Sequence, residues 1–410
     1  VNPGVNRAYL EGTLREDGRL KKTTGASGLV VYRGDQFPEK YRGHAFVPES
    51  AGNVVAQFAL TEEGPGVVAE QQTYADEQWG ERDFLGSTDE RFRPVDAANG
   101  PDGSLYVIDM YRGIIQDDHF LTEELREQIF QRGLDKPVGK GRIWRIRHTE
   151  GSQSRAIPNL AEATSSELLA ALSSSNGWTR DTAQRLLLDR PGAETKQLEA
   201  LAMGESTLPA IHAVWTLQGR QELTPELIGA ILRGKDPQRQ IHALRASVGI
   251  VGANELVDVA LAMQQAPEMV QVQFAFALGA QASDREARDT LTKLLRNGAE
   301  SAYLRQAIVR ALTGQELAFL QENLSGGEFA QESEDLVAAL KALAASAYRS
   351  IRPDLASMET PSPELLELLS LVESRKGVDS WQQIALLGGF QALATTDGFV
   401  PAQLTEAPPI

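Results

Sequence analysis

Between residues 28 and 148 the apolar positions come in short runs that alternate with polar ones, the period-2 signature of half-buried strands. Four such runs are GLVVYRG from Gly28, YRGHAFVP from Tyr41, NVVAQFAL from Asn53, and Val67 to Gln72. Gly-, Pro- and Asn-bearing turns separate them at a spacing of about ten residues, which predicts an antiparallel meander. A second unit comprises Arg93 to Ala97, Ser104 to Met110 and, after an excursion, GRIWRIRH from Gly141 to His148. Asn99-Gly100-Pro101-Asp102-Gly103 joins its first two runs and offers the positive-φ positions of a tight hairpin. The excursion holds Leu121, Leu125, Ile129 and Phe130 at helical spacing, with Thr122 as N-cap, so a helical insertion is expected over 117–133.

After the polar stretch 149–158, closed by Pro158 and read as a linker, the apolar period changes to that of a helix and the pattern repeats. Aligning RDTAQRLLLDR, IHAVWTLQGR, IHALRASVGI, VQFAFALGA and RQAIVRALTG on Ala183, Ala213, Ala243, Phe274 and Ala307 gives spacings of 30, 30, 31 and 33. Each copy is preceded by another amphipathic helix, as at 166–172 and 225–232. Helix pairs at that period predict a HEAT-like α-solenoid. The strand units read as propeller blades, because one such sheet alone leaves an apolar face uncovered. Two blades do not close a ring, so either further blades lie outside this chain or the sheets form an open sandwich. The expected fold is therefore multidomain, β plus α. An unassigned segment 1–22 precedes a partial β-propeller of about two blades over 23–148. The linker 149–158, HEAT-like repeats over 159–395 and a tail 396–410 follow.

Composition narrows the function. Apolar residues make up 42% and charged residues 23% of 410, the balance of a folded chain. No run of about 18 apolar residues is present, so no transmembrane helix is expected. A formal charge of −16 argues against non-specific nucleic-acid binding. The absence of cysteine excludes disulfides, thiolate metal sites and a covalently attached haem within these residues. The chain opens on Val1 without a signal-like core and reads as a mature or internal segment.

Candidate chemistry gathers around the hairpin. Arg91-Phe92-Arg93 and Tyr111-Arg112 bound it, and guanidinium groups at strand ends suit a planar anionic ligand. The other reading pairs them with the neighbouring carboxylates Asp83, Asp89, Glu90, Asp96 and Asp109. His212 and His242 recur at equivalent repeat positions, but two histidines without a nearby carboxylate make a poor metal set, so packing is expected. Trp178, Trp215 and Trp381 fall within helical periodicity and are expected in the core. Asp102-Gly103 lacks the alternating oxygen ligands of a calcium loop and reads as a turn. No dinucleotide fingerprint, phosphate-binding loop, serine elbow or zinc-protease motif occurs.

The motif order GLVVYRG, GHAFVPESAGNVVAQF, DERFRPV, GPDGSLYV and GRIWRI resembles the C-terminal blades of soluble quinoprotein glucose and sorbosone dehydrogenases. It resembles still more the bacterial membrane-bound dehydrogenase-like proteins, in which a propeller precedes HEAT-like helices and often a c-type cytochrome domain. The resemblance spans Thr23 to Arg147 and continues into the helices. It implies pyrroloquinoline quinone as cofactor, with Arg91 and Arg93 matching the family's R-x-R carboxylate clamp. Thr23, or Thr24 if the register slips, matches a cofactor-contacting threonine. Two departures stand out: Ala51 occupies the segment where the family has a cofactor lysine, and Pro94 replaces an aspartate after the arginine pair.

The resemblance further implies oxidation of a sugar or alcohol. A histidine takes the hydroxyl proton, hydride passes to the quinone, and electrons leave to a cytochrome c. It implies a periplasmic or otherwise exported location. The base histidine and calcium loop would precede Val1 and any haem c would follow Ile410, so His44 and His119 are not assigned that role, and these residues alone are expected to be inactive. The rival reading is a non-catalytic propeller and HEAT-repeat module that binds a protein or polysaccharide partner.

Overall fold

The computed structural model describes residues 25–78, 80–115, 117, 119, 121, 123–149, 157–190, 192, 194–351, 362–377 and 379–394. Thr23, Thr24 and Thr122 lie outside the described residues, as do the segment 1–22, most of the expected linker and the tail. Contacts divide the chain into two compact units, Val1–Glu194 and Thr195–Ile410. The architecture is β plus α, with antiparallel sheets of which none closes on itself among the described residues.

In the first unit the strands are β1 (Val30–Val31), β2 (Ala45–Glu49), β3 (Val54–Glu63), β4 (Gly66–Gln72), β5 (Tyr74–Asp76), β6 (Gly80–Arg82), β7 (Leu85–Gly86), β8 (Pro94–Asn99), β9 (Leu105–Asp109) and β10 (Arg142–Ile146). β1 to β4 form the expected meander, and β7 pairs with Val54 and Val55 where β4 has ended. β8, β9 and β10 form a second meander. The β5–β6 hairpin and β7, each only two or three residues long, are not expected from the apolar pattern. In the β8–β9 turn Gly103 takes φ +78 and its N–H donates to Gly100 O at 3.0 Å.

The two meanders share one core. Tyr32, Phe46, Val55, Ala97, Leu105 and Val107 are buried together, and Phe84 packs edge-on to Phe46. Burial of its ring raises the pKa of the Tyr32 phenol. The hydroxyl donates to Gly103 O at 2.6 Å and accepts the N–H groups of Gln36 and Phe37 at 2.9 Å, tying β1 to the β8–β9 turn. Between β9 and β10 lies α1 (Glu123–Gln131), shorter than the expected insertion. Ile129 is buried, but Phe130 is 62% exposed, so the apolar face is narrower than the spacing suggests.

The first helical pair, α2 (Ser165–Ala171) and α3 (Gly177–Asp189), belongs to the compact unit of the sheets. Asn176 caps α3 and also donates to Gly100 O and Pro101 O at 3.1 Å, while the Gly177 N–H reaches Arg33 O at 2.8 Å.

In the second unit follow α4 (Thr195–Ala202), α5 (Thr207–Gly219), α6 (Pro225–Leu232), α7 (Pro237–Ala246), α8 (Ala253–Gln264), α9 (Glu268–Gly279), α10 (Arg285–Asn297), α11 (Ala302–Ala311), α12 (Glu316–Gly326), α13 (Glu334–Ile351), α14 (Pro363–Glu373) and α15 (Ser380–Ala394). α5, α7, α9, α11 and α13 pack each on the next, with α6, α8 and α10 as a second layer. Ala183, Ala213, Ala243, Phe274 and Ala307, the residues that align the repeats, are all buried. A further recurring device lies three residues before three of them. Arg180 donates to Ser174 O and Ser175 O, Gln240 to Leu232 O and Gly234 O, and Gln271 to Gln264 O and Ala266 O. Each satisfies carbonyls left over where the preceding helix ends. Trp178, Trp215 and Trp381 are partly buried rather than core residues. No helix among the described residues is long and apolar enough to cross a membrane.

Candidate functional site: an arginine clasp at one end of the sheets

Arg93 precedes β8 and is 4% exposed. Its Nη1 donates to Ser50 O at 2.7 Å, Nε to Arg112 O at 3.0 Å and Nη2 to Gly113 O at 2.8 Å. One planar fork therefore joins the β2–β3 turn to the segment leaving β9, a use that suits the rigid donor geometry of guanidinium. The Arg93 N–H donates to Asp109 Oδ1 at 2.8 Å, which fixes the strand end that carries the side chain. Burial pulls the pKa of Arg93 below its usual value, and the carboxylates of Glu49 and Asp109, each 1% exposed, oppose that shift.

Arg91 points elsewhere. Its Nε donates to Lys136 O at 3.1 Å and its Nη2 to Gly133 O at 2.8 Å, anchoring the loop after α1. Alternation along a strand predicts that both arginines share a face. Instead Arg91 and Phe92 lie in a turn closed by Phe92 N–H to Asp89 O at 3.0 Å, and β8 begins only at Pro94. The side chains diverge. Of the acidic neighbours, Asp109 acts on the charge of Arg93, whereas Asp89 accepts the Arg91 N–H and the Tyr111 hydroxyl, Glu90 pairs with Arg132, and Asp96 accepts the Ala97 N–H.

Two buried side chains complete the clasp. Asn53 sits at φ +59, 3% exposed, and its Nδ2 donates to Phe92 O at 2.5 Å. Asp109 Oδ1 also accepts the Tyr111 N–H at 2.8 Å, and Oδ2 accepts Trp144 Nε1 at 3.0 Å. Tyr111 itself is left-handed at φ +48, and the Arg142 guanidinium lies 3.5 Å over its ring. Neither Asn53 nor Asp109 stands out in the sequence as a site residue, although asparagine after Ala51-Gly52 is a residue type that tolerates positive φ.

A quinone tricarboxylate needs guanidinium donors that face an open space. Arg93 is buried with Nε and both Nη atoms turned to main-chain carbonyls, Arg91 spends two donors on main-chain carbonyls, and Ala51 supplies no cation, so these residues as placed do not fit that group. The other candidates are accounted for similarly. His44 Nδ1 meets Gln57 Nε2 at 2.7 Å, and Gln57 Oε1 accepts the Tyr74 hydroxyl at 2.5 Å. Asp102 is a turn residue, accepting the Ser104 N–H at 3.1 Å and hydroxyl at 2.9 Å and pairing with Arg145. Burial pushes its pKa up, but the Ser104 bonds and Arg145 outweigh that and leave it below the usual carboxylate value. Among the described residues no group of three or more His, Asp or Glu is placed to hold a metal ion. A cleft of about 610 Å³ opens between the β8–β9 turn and the α2–α3 pair, lined by Asp35, Pro101, Glu162, Ser175 and Asn176 among others, and neither arginine lines it.

The fold and clasp define a protein of antiparallel sheets locked at one end by buried arginine, followed by packed helix pairs. The family described as a domain of unknown function (DUF7133) matches residues 2–150, a span that holds both meanders and the whole clasp. No curated protein matches the chain. No solved structure matches it.

Proposed function

We propose that this chain is the structural and partner-docking portion of a quinoprotein-type sugar or alcohol dehydrogenase, a partial β-propeller continued by an α-solenoid. The motif order supports this reading, since its pieces fall in sequence on the β1–β4 meander and then on β8, β9 and β10. Its arginines serve the architecture: Arg93 and Arg91 hold the sheet end closed by bonds to main-chain carbonyls. No reaction step is assigned to these residues. The rival, a binding module with no oxidative role, is favoured by the same engagement of the arginines and by Ala51.

Calorimetric titration of pyrroloquinoline quinone with calcium into the protein at its natural length separates the two. The dehydrogenase reading expects saturable binding by the parent, and for Arg91→Ala an affinity within about threefold, or roughly 0.7 kcal/mol, accompanied by a lower Tm. Failure of the parent to bind leaves the binding module. An Arg91→Ala protein with parental Tm and more than about tenfold weaker binding would return the arginine to the cofactor.

A further inference from the structure

Four helices of the first layer, α5, α7, α9 and α11, differ in charge from α13 of the same layer, which carries Glu334 and Asp335, and from the chain as a whole. The four carry Arg239, Arg245, Arg305 and Arg310 against one carboxylate, Glu268, in a protein of formal charge −16. Arg239 is occupied by Ala202 O and Gly204 O, Arg305 by Ala299 O and Asp335, and Glu268 accepts the Ser301 hydroxyl. Arg245 is exposed, and among the described residues its hydrogen-bond partner is neutral: its Nε donates to Gln273 Oε1 at 3.0 Å.

That bond is one rung of a ladder. Trp215, two residues after Ala213, donates from Nε1 to Nδ1 of His242 at 2.9 Å, and His242 lies one residue before Ala243. Arg245, two after Ala243, donates in the same way to Gln273, one before Phe274. The same two repeat positions thus bridge α5 to α7 and α7 to α9. The next residue in the series, Phe276, is 41% exposed, and Leu208, seven residues before Trp215 and so on its helical face, is 52% exposed. The rungs hold Trp215 and Arg245 in fixed orientations, which lowers the ordering cost of binding a ligand there.

We propose that this face docks an extended acidic peptide, its apolar side chains against Leu208, Trp215 and Phe276 and a carboxylate on the outward Nη groups of Arg245. Tryptophan and arginine are the side chains that most often anchor such contacts. Charge complementarity selects the partner: an exposed guanidinium on helices whose one carboxylate, Glu268, is taken up by Ser301 attracts a short acidic segment. Long polyanions such as nucleic acid are repelled by the acidic remainder of the protein. The inference rests on the helical layer alone and is independent of the dehydrogenase reading.

The test is fluorescence anisotropy of a labelled decapeptide alternating glutamate with phenylalanine, beside its glutamine counterpart, titrated with the full chain. The glutamate peptide is expected to bind saturably, with the glutamine peptide and the Arg245→Glu and Phe276→Ser proteins each weaker by about tenfold or more. Arg245→Lys, which keeps the charge, and Lys293→Glu on α10, an equal charge change on the other layer, should stay within about threefold of the parent. Absence of saturable binding, equal binding of the two peptides, or parental binding by Arg245→Glu overturns the proposal. Self-association lost in the same two variants also overturns it and assigns the face to a second copy of the chain.

Discussion

Replacing Arg93 by alanine removes three hydrogen bonds from a guanidinium that is 4% exposed and strands the carbonyls of Ser50, Arg112 and Gly113. Net contributions of bonds to charged groups begin at about 1.5 kcal/mol each, which gives roughly 4.5 kcal/mol for three. Breaking a buried charge arrangement by deleting one partner costs about 3–5 kcal/mol by independent measure, and the buried carboxylates Glu49 and Asp109, whose charges act on Arg93, would lose that cation. The two routes agree near 4 kcal/mol. For a unit ending at Glu194 that corresponds to a fall of about 8–16 °C in Tm, at roughly 2–4 °C per kcal/mol. Arg93→Lys keeps the charge but cannot span three carbonyls, and should lose about half as much. Calorimetry gives the Tm shift, and amide exchange at Tyr111 reports whether the segment after β9 opens. An Arg93→Ala protein within about 1 kcal/mol of the parent would refute the clasp.

Further outcomes follow from single contacts. Asn53→Ala should cost about 2 kcal/mol in urea unfolding, from the lost bond to Phe92 O and the strain of alanine at φ +59, while Asn53→Gly should lose only the hydrogen-bond part. Gly279→Ala should cost about 1–3 kcal/mol, because a Cβ there would lie 2.8 Å from Ala311 Cα and force α9 away from α11. Arg288 grips Glu322 at 2.6 and 2.9 Å between α10 and α12, and its hydrogen bonds hold that carboxyl below the usual glutamate value. A depressed folded pKa gives stability that is present above the unfolded value of about 4.3 and lost as pH falls through the folded one. The urea midpoint of Arg288→Ala should therefore depend less on pH than the parent's in that acid window.

What the sequence reveals of this protein follows from where its signals reside. Thr224-Pro225 marks the start of α6, and the helix runs Pro225–Leu232 as the periodicity indicates, because cap and apolar face are both written in side chains. The β8–β9 hairpin is legible for the same reason, through its glycine turn. The fate of Arg91 and Arg93 is not. Their partners are main-chain carbonyls at Ser50, Arg112, Gly113, Gly133 and Lys136, and a carbonyl carries no residue signature. A shared face requires a strand that already includes Arg91, and β8 begins three residues later, at Pro94. Periodicity alone places the tryptophans in the core, yet the indole N–H of Trp215 finds a partner in His242 on the next helix and the ring stays only partly buried.

The claim at the centre of this account is that the Arg93 guanidinium is a structural bridge, buried and bonded through Nε and both Nη atoms to main-chain carbonyls. The most direct measurement is the nuclear magnetic resonance signal of its Nε–Hε group, assigned by loss in Arg93→Lys, before and after addition of pyrroloquinoline quinone with calcium. A resonance that exchanges slowly with water and does not move on addition is the predicted result. A resonance that exchanges rapidly, or that shifts on addition while Tm is unchanged, would contradict it.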